Sequence, residues 1–509
     1  MADLREGIGR RTFIKAVGTV GLGFALVGWS HDGRRTVVAA LPGGDLDLDA
    51  VDKFVTPVLV PPVMPRAGII RRRSGPPIDY YEISVRQFEQ QVLPTGLPRT
   101  TVWGYGPVGS SPHNAPSLTI EARSGRPVRV RWVNDLVAPD GTYLPHLLPV
   151  DPTLHWANPP GGTEGRDSRP QHDVTPGPYT GPVPLVTHVH GAVGVGDESD
   201  GYAEAWFLPD ATDIPDGYAT VGTWYDFFAA KARRRFGATW QPGCSVSQYP
   251  NPERAGTKWY HDHTLGMTRL NVYAGPAGFY LLRGGPGDVV RDARTGERAR
   301  LPGPAARAGD PVAERPRVRE IPLAIQDRAF NADGSLFYPD TRAFFDGIVA
   351  PYLPATGPGD DEGHGDMPAG EGFSPIWNPE FFGNAIIVNG ATWPYLEVEP
   401  VRYRLRLLNG CQSRFLILDF SAIPGVQVWQ IGNDGGFLSA AVDLGAEAET
   451  RVLLAPAERA DLIVDFADVP QGQHVLPNLG PDEPFGGGEP GEEFEPADPA
   501  TTGQVMAFR

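Results

Sequence analysis

Short runs in which every second residue is apolar, each closed by glycine or proline, recur along this 509-residue chain. Such alternation is what a half-buried strand requires, because successive side chains point to opposite faces; a helix needs apolar residues three and four apart. Leu118-Thr119-Ile120-Glu121, a Ser124-Gly125 turn and Val128-Arg129-Val130-Arg131-Trp132 read as a hairpin. The pattern returns downstream, where Leu396-Glu397-Val398 leads to Tyr403-Arg404-Leu405-Arg406-Leu407 and Asn409 ends the second copy as Asn134 ends the first. No long amphipathic segment of helical period follows residue 40. The 63 glycines and 54 prolines are roughly double the usual ~12% share, which suits a turn-rich β protein.

The length exceeds one ordinary core, and the repeated pattern predicts two homologous β-sandwiches. We read an export signal over 1–40, a first sandwich over 41–283, a linker over 284–317 and a second sandwich over 318–509. The linker is charged and rich in Pro, Gly, Arg and Asp; Pro354 to Gly372 and Asp482 to Glu495 read as polar, glycine-rich loops. The signal rests on Arg10-Arg11-Thr12-Phe13-Ile14-Lys15, a weakly apolar stretch from Ala16 to Trp29, and the small residues Val38-Ala39-Ala40. It resembles a twin-arginine signal and is too short to span a membrane, so the expected location is extracytoplasmic: periplasm, cell surface or medium. A net charge of −17, relieved only by Arg71–Arg73 and Arg233–Arg235, argues against a nucleic-acid partner. Two cysteines, Cys244 and Cys411, allow no disulfide framework and no Cys-rich metal site; whether they pair is open.

Eleven histidines occur, yet four fall in two His-x-His pairs, His188-Val189-His190 and His261-Asp262-His263. Chance would supply roughly 0.2 such pairs in a chain of this composition. Residues i and i+2 of a strand share a face about 6.5–7 Å apart, so two pairs on separate strands can turn four imidazoles into one cavity. Imidazole sets suit copper, zinc or iron rather than calcium or magnesium. A mononuclear zinc hydrolase on a (β/α)₈ barrel also starts with His-x-His, but its alternating helices are missing here.

His188-Val189-His190-Gly191 followed by Asp200-Gly201-Tyr202-Ala203-Glu204-Ala205-Trp206-Phe207 resembles the first copper motif of the multicopper oxidases. Trp259-Tyr260-His261-Asp262-His263 with Thr268-Arg269-Leu270-Asn271-Val272-Tyr273-Ala274-Gly275 resembles the second. His146 to Asp151, Ile387 to Gly390, Trp393 to Val398 and Leu454 to Arg459 agree with the branch of spore-coat laccases, bilirubin oxidases and phenoxazinone synthases. The resemblance implies tandem cupredoxin-like Greek-key β-sandwiches, two of the usual three. It implies copper, with His188 on the type 2 ion and His190, His261 and His263 on the type 3 pair. It implies four-electron reduction of dioxygen to water, driven by a phenolic, aminophenolic, tetrapyrrole or metal reductant. Asp200 matches an acidic residue that the family places near the type 2 ion, where proton delivery is its expected role. Trp206, Trp259 and Tyr260 read as packing residues. His113, His146, His155, His172, His364 and His474 match no ligand position, and His31 falls in the signal.

The sequence departs from the family in one respect. The His-x-x-His-x-His and His-Cys-His motifs that complete the cluster and hold the type 1 copper do not occur. Cys244 lies between Gly243 and Ser245, and Cys411 between Gly410 and Gln412, so neither matches the blue-copper cysteine. The expectation is half of a three-copper site. A third sandwich of ~150 residues would be lost by truncation or frameshift, or encoded separately as a partner. The other readings are a non-catalytic exported scaffold and a copper-binding protein; four intact histidines argue against the scaffold.

Overall fold

In the computed structural model the described residues are 44–172, 176–284, 318–340, 380–445 and 451–509, with the short pieces 25–29, 35–39, 295–297, 301–303 and 305. Arg10 and Arg11, most of the linker and the segment from Pro354 to Gly372 lie outside them. Ala25–Trp29 and Arg35–Ala39 pair as an antiparallel hairpin.

The first group of strands comprises β1 (Ile78–Gln90), β2 (Thr100–Pro107), β3 (Ser117–Arg123), β4 (Val128–Asn134), β5 (Thr187–His190), β6 (Cys244–Tyr249), β7 (Gly256–Asp262) and β8 (Ala277–Arg283). One sheet places β4 between β1 and β6, with β2 and Gly68–Ile70 also on β1; the other runs β3-β8-β7-β5. Tyr105 on β2, Trp132 on β4 and Tyr260 on β7 meet between the sheets, with ring centroids 5.1 to 5.5 Å apart. A second group follows: β9 (Glu320–Phe330), β10 (Ala385–Val388), β11 (Tyr395–Leu396), β12 (Arg402–Asn409), β13 (Gln427–Asn433), β14 (Arg459–Asp465), β15 (His474–Pro477) and β16 (Gln504–Phe508). The all-β expectation holds.

The predicted hairpin does not form. β3 pairs parallel with β8, whereas β4 pairs parallel with β1 and antiparallel with β6, so the Ser124-Gly125 turn carries the chain from one sheet to the other. Alternation gives each strand a buried face but does not choose its partner. The second copy crosses in the same way: β11 runs parallel to β16, and β12 parallel to β9 and antiparallel to β14. The repeat is therefore real at the level of topology. Its two asparagines do the same work. Asn134 Nδ2 donates to the Val183 and Phe207 carbonyls at 2.8 and 3.1 Å. Asn409 Nδ2 donates to those of Arg414 and Leu454 at 2.9 and 2.8 Å. Each side-chain oxygen accepts from the amide two residues on, closing an Asx turn.

The two groups share one continuous apolar core that runs from Leu48 to Phe508. β4 keeps its alternating burial, but β12 is buried on both faces. Its polar face carries Arg404, bound to Asp461 at 2.8 Å, and Arg406, bound to Glu320 at 2.7 Å and to Thr257 of β7 at 3.0 Å. Arg283 of β8 reaches Glu320 at 2.9 Å, so this charged face is the seam between the groups. One long helix was not foreseen: α1 (Tyr225–Phe236) buries Tyr225, Phe228 and Ala232 and ends at the left-handed Gly237. A shorter helix, α2 (Thr268–Ala274), follows the second histidine pair. Cys244 and Cys411 are both buried and unpaired, which answers the question of a disulfide. Among the described residues no helix is long and apolar enough to cross a membrane.

Candidate metal centre

β5 and β7 are antiparallel neighbours, in a register that sets His188 opposite His261 and His190 opposite Trp259. Both His-x-His pairs therefore end up at one end of the same sheet. His188 is the hub, its ring centroid 5.8 Å from that of His190, 5.5 Å from His261 and 4.9 Å from His263. One ring nitrogen from each of His188, His190 and His261 lies within 4.8 Å of the others, and His190 Nδ1 is 3.4 Å from His261 Nε2. His263 adjoins this trio, held by its amide to the Val186 carbonyl at 2.7 Å.

The ring orientations are fixed from outside. His188 Nδ1 donates to the Asp200 carbonyl at 2.5 Å and His261 Nδ1 to the Asp262 carbonyl at 2.7 Å. Each bond assigns a proton to Nδ1 and fixes the ring, as outer partners do for a metal-ligating imidazole. Burial pushes the His190 imidazole down to about 4, with Arg459 and His188 adding to the effect. Burial also holds His261 well below the ordinary histidine range and lowers His263. These three rings are thus neutral at pH 7 and available as donors. His263 Nδ1 is buried with no partner. Neutral imidazoles at His190, His261 and His263, with His188 anchored among them by the Asp200 carbonyl, fit copper, zinc or iron.

The turn at Gly201 brings Asp200 to this cluster. Its φ is +79°, and a Cβ there would lie 2.4 Å from the Thr187 carbonyl and 2.8 Å from His188 Cα, so only glycine lets the loop approach β5 so closely. The Asp200 carboxylate is half-exposed, with Oδ1 3.5 Å from His188 Nδ1. It stands at the rim, beside the hub ring.

Sequence reasoning missed the groups that hold this arrangement. Asp262, between the second pair of histidines, points the other way and is fully buried. Its carboxylate accepts from Val186 N (3.2 Å), Thr264 N (3.0 Å), Thr264 Oγ1 (2.8 Å) and Asn271 Nδ2 (2.9 Å). Burial raises its pKa to about 6. Asn271 Oδ1 in turn lies 3.1 Å from His146 Nε2, while His146 Nδ1 accepts from Leu148 N at 2.9 Å. The period-2 rule carried the signal, since Asp262 must face away from its two flanking histidines. Trp259 packs against the cluster itself: its ring stacks on His190 at 5.4 Å and lies 4.1 Å from His261. Tyr260 donates to the Leu118 carbonyl at 2.6 Å and Trp206 to Asp167 at 2.5 Å, both away from the cluster. His113, His155, His172 and His474 find their partners in Ser84, Asp167, Pro152 and Pro470.

The chain is 34% identical over 466 residues to a laccase of Haloferax volcanii, covering 90% of this chain and 59% of that protein. It is 32% identical over 426 residues to a laccase of Bacillus subtilis, covering 84% and 61%. The chain is a relative of the multicopper oxidases. The multicopper oxidase LPR1 of Arabidopsis thaliana is 31% identical over 414 residues, covering 81% of this chain and 52% of that protein. The chain therefore spans between about half and three-fifths of the length of these multicopper oxidases. Among solved structures, a multicopper oxidase from Pediococcus acidilactici superposes with a TM-score of 0.49 at 18% identity, over 90% of this chain and 61% of that one. No family model matches the chain.

Proposed function

We propose that this chain serves a laccase-like copper oxidase, and that its four paired imidazoles hold copper for the reduction of dioxygen. The observation that carries the reading is the convergence of His188, His190, His261 and His263 at one end of two neighbouring strands. The names of the relatives turn a site suited to several imidazole-binding metals towards copper. In this reading His188 serves a type 2 ion and the other three serve a type 3 pair. Copper held there would supply one-electron redox chemistry towards dioxygen, with a phenolic, aminophenolic, tetrapyrrole or metal reductant as the electron source. The protein's own part is to keep His190, His261 and His263 neutral by burial and to orient His188 and His261 through the Asp200 and Asp262 carbonyls. The half-exposed Asp200 carboxylate would pass protons between solvent and the cluster. The Arg10-Arg11 signal would deliver the folded protein out of the cytoplasm.

Metal analysis of the purified chain after incubation with Cu(II) and extensive dialysis is the test. Copper is expected to stay with the unaltered chain and to be lost from the His188→Ala/His261→Ala variant. Equal copper content in the two proteins would refute the assignment.

A further inference from the structure

The second group of strands contributes no histidine to the cluster, yet one of its arginines lies against both ligand-bearing strands. Arg459, at the start of β14, is buried in the seam. Its Nε donates to the Thr257 carbonyl of β7 at 3.1 Å, four residues before His261. Its Nη1 donates to the Ala457 carbonyl at 2.7 Å and lies 3.1 Å from Asp434 Oδ1. Its Nη2 lies over Gly191, the residue after His190, where a Cβ would come within 3.0 Å of it and 3.9 Å of Lys258 Nζ. Gly191 has φ +84°, and its carbonyl accepts from the buried Lys258 ammonium. Lys258 is braced by Glu253 Oε1 at 3.1 Å, and the same oxygen accepts from Val193 N at 3.1 Å. The turn that ends β5 is thus bonded by the Lys258 ammonium and overlaid by the Arg459 guanidinium, two buried cations, one from each group of strands. Trp259 adds an apolar contact: its ring packs on His190 and His261 on one side and belongs to a cluster with Ala324 and Leu408 of the second group on the other.

We propose that Arg459 is a positioning residue for the metal centre, clasping the Gly191 turn to β7 so that His190 and His261 keep the separation a shared site needs. The proposal rests on the metal reading above and adds to it a role for the strands that supply no ligand. Charge and position make opposite predictions here. A cation beside a metal site repels the metal, so if Arg459 acted by charge alone its removal would tighten binding. If it acts by position, its removal loosens the turn and weakens binding, as removal of groups that support ligands commonly does, by about 10- to 100-fold.

The experiment is competition titration of the full chain with Cu(II) against a chelator, together with the electron paramagnetic resonance spectrum of the bound ion. Arg459→Gln is expected to weaken binding by about 10- to 100-fold and to change the spectrum. Arg459→Lys, which keeps the charge but not the fork, is expected to weaken it as well. Gly191→Ala reaches the same turn from the first group of strands, so it tests the clasp even if the arginine variants fold poorly. It is expected to weaken binding, and to cost less in an Arg459→Lys background than alone, because the shorter side chain leaves room for the methyl. Unchanged or tighter binding in Arg459→Gln, or strictly additive effects of the two substitutions, would overturn the proposal. If the unaltered chain binds no Cu(II), the metal reading itself fails first, which is a separate and recognisable result.

Discussion

His146, outside the four converging histidines, shapes the acid stability of the structure behind them. Its Nδ1 accepts from Leu148 N and its Nε2 donates to Asn271, whose amide supports Asp262 behind the ligand strands. Burial lowers its pKa to about 4 from an ordinary 6.5. Between those values the unfolded chain binds a proton that the folded chain refuses, so stability is full above pH 6.5 and is lost as the pH falls towards 4. The upper bound is about 3 kcal/mol, less whatever solvent contact the ring retains. Asp262, raised to about 6, works in the opposite direction over part of the same range, which is why a difference measurement is needed. His146→Gln is expected to flatten the decline in melting temperature between pH 6.5 and 4.5. An unchanged acid limb would show that the ring titrates freely in the folded protein. At this scale the convergence of the four imidazoles was legible, because His-x-His on a strand puts both rings on one face. Their supports were not: Asn271 and Arg459 reach the centre only through contacts distant in sequence.

At the scale of elements, β12 is the instructive case. Its alternation of arginine and leucine reads as a strand with one wet face, yet Arg404 and Arg406 are buried. Three arginines, Arg283, Arg404 and Arg406, share Glu320 and Asp461, and Glu121 completes the pairing of Arg283. A buried ion network of this kind is a weak source of net stability, but breaking it by removing one partner leaves a charge stranded. Arg406→Ala is therefore expected to cost about 3–5 kcal/mol in denaturant unfolding. A loss well under 1 kcal/mol would mean that water enters the seam and solvates Glu320. The crossing of β3 to β4 belongs to the same scale. Tight turns normally join paired strands, and nothing local in Ser124-Gly125 distinguishes a hairpin from a passage between sheets. The α1 helix was missed for a related reason: only Tyr225, Phe228 and Ala232 of its twelve residues are buried, a narrow stripe among exposed aromatic and basic side chains.

For the whole molecule, two groups of strands that share the same crossing between sheets are fused over one continuous core, and Arg459 of the second bonds a histidine-bearing strand of the first. The export proposed for the Arg10-Arg11 signal is tested on the chain as a whole. Replacing Arg10 and Arg11 with lysine is expected to retain the protein in the cytoplasm of an expression host with a twin-arginine pathway; export at the original level would dismiss the signal. What the sequence determined by itself was whatever follows from short-range periodicity: strands rather than long helices, a repeated unit, and four imidazoles on shared faces. Side-chain direction along a strand is set by the backbone alone, so these features needed no knowledge of neighbours. Which strands pair, which charged face is buried, and that Arg459 meets Gly191 were decided only by tertiary structure. Those outcomes depend on which apolar and ionic surfaces exclude water together, and such contacts join residues hundreds of positions apart.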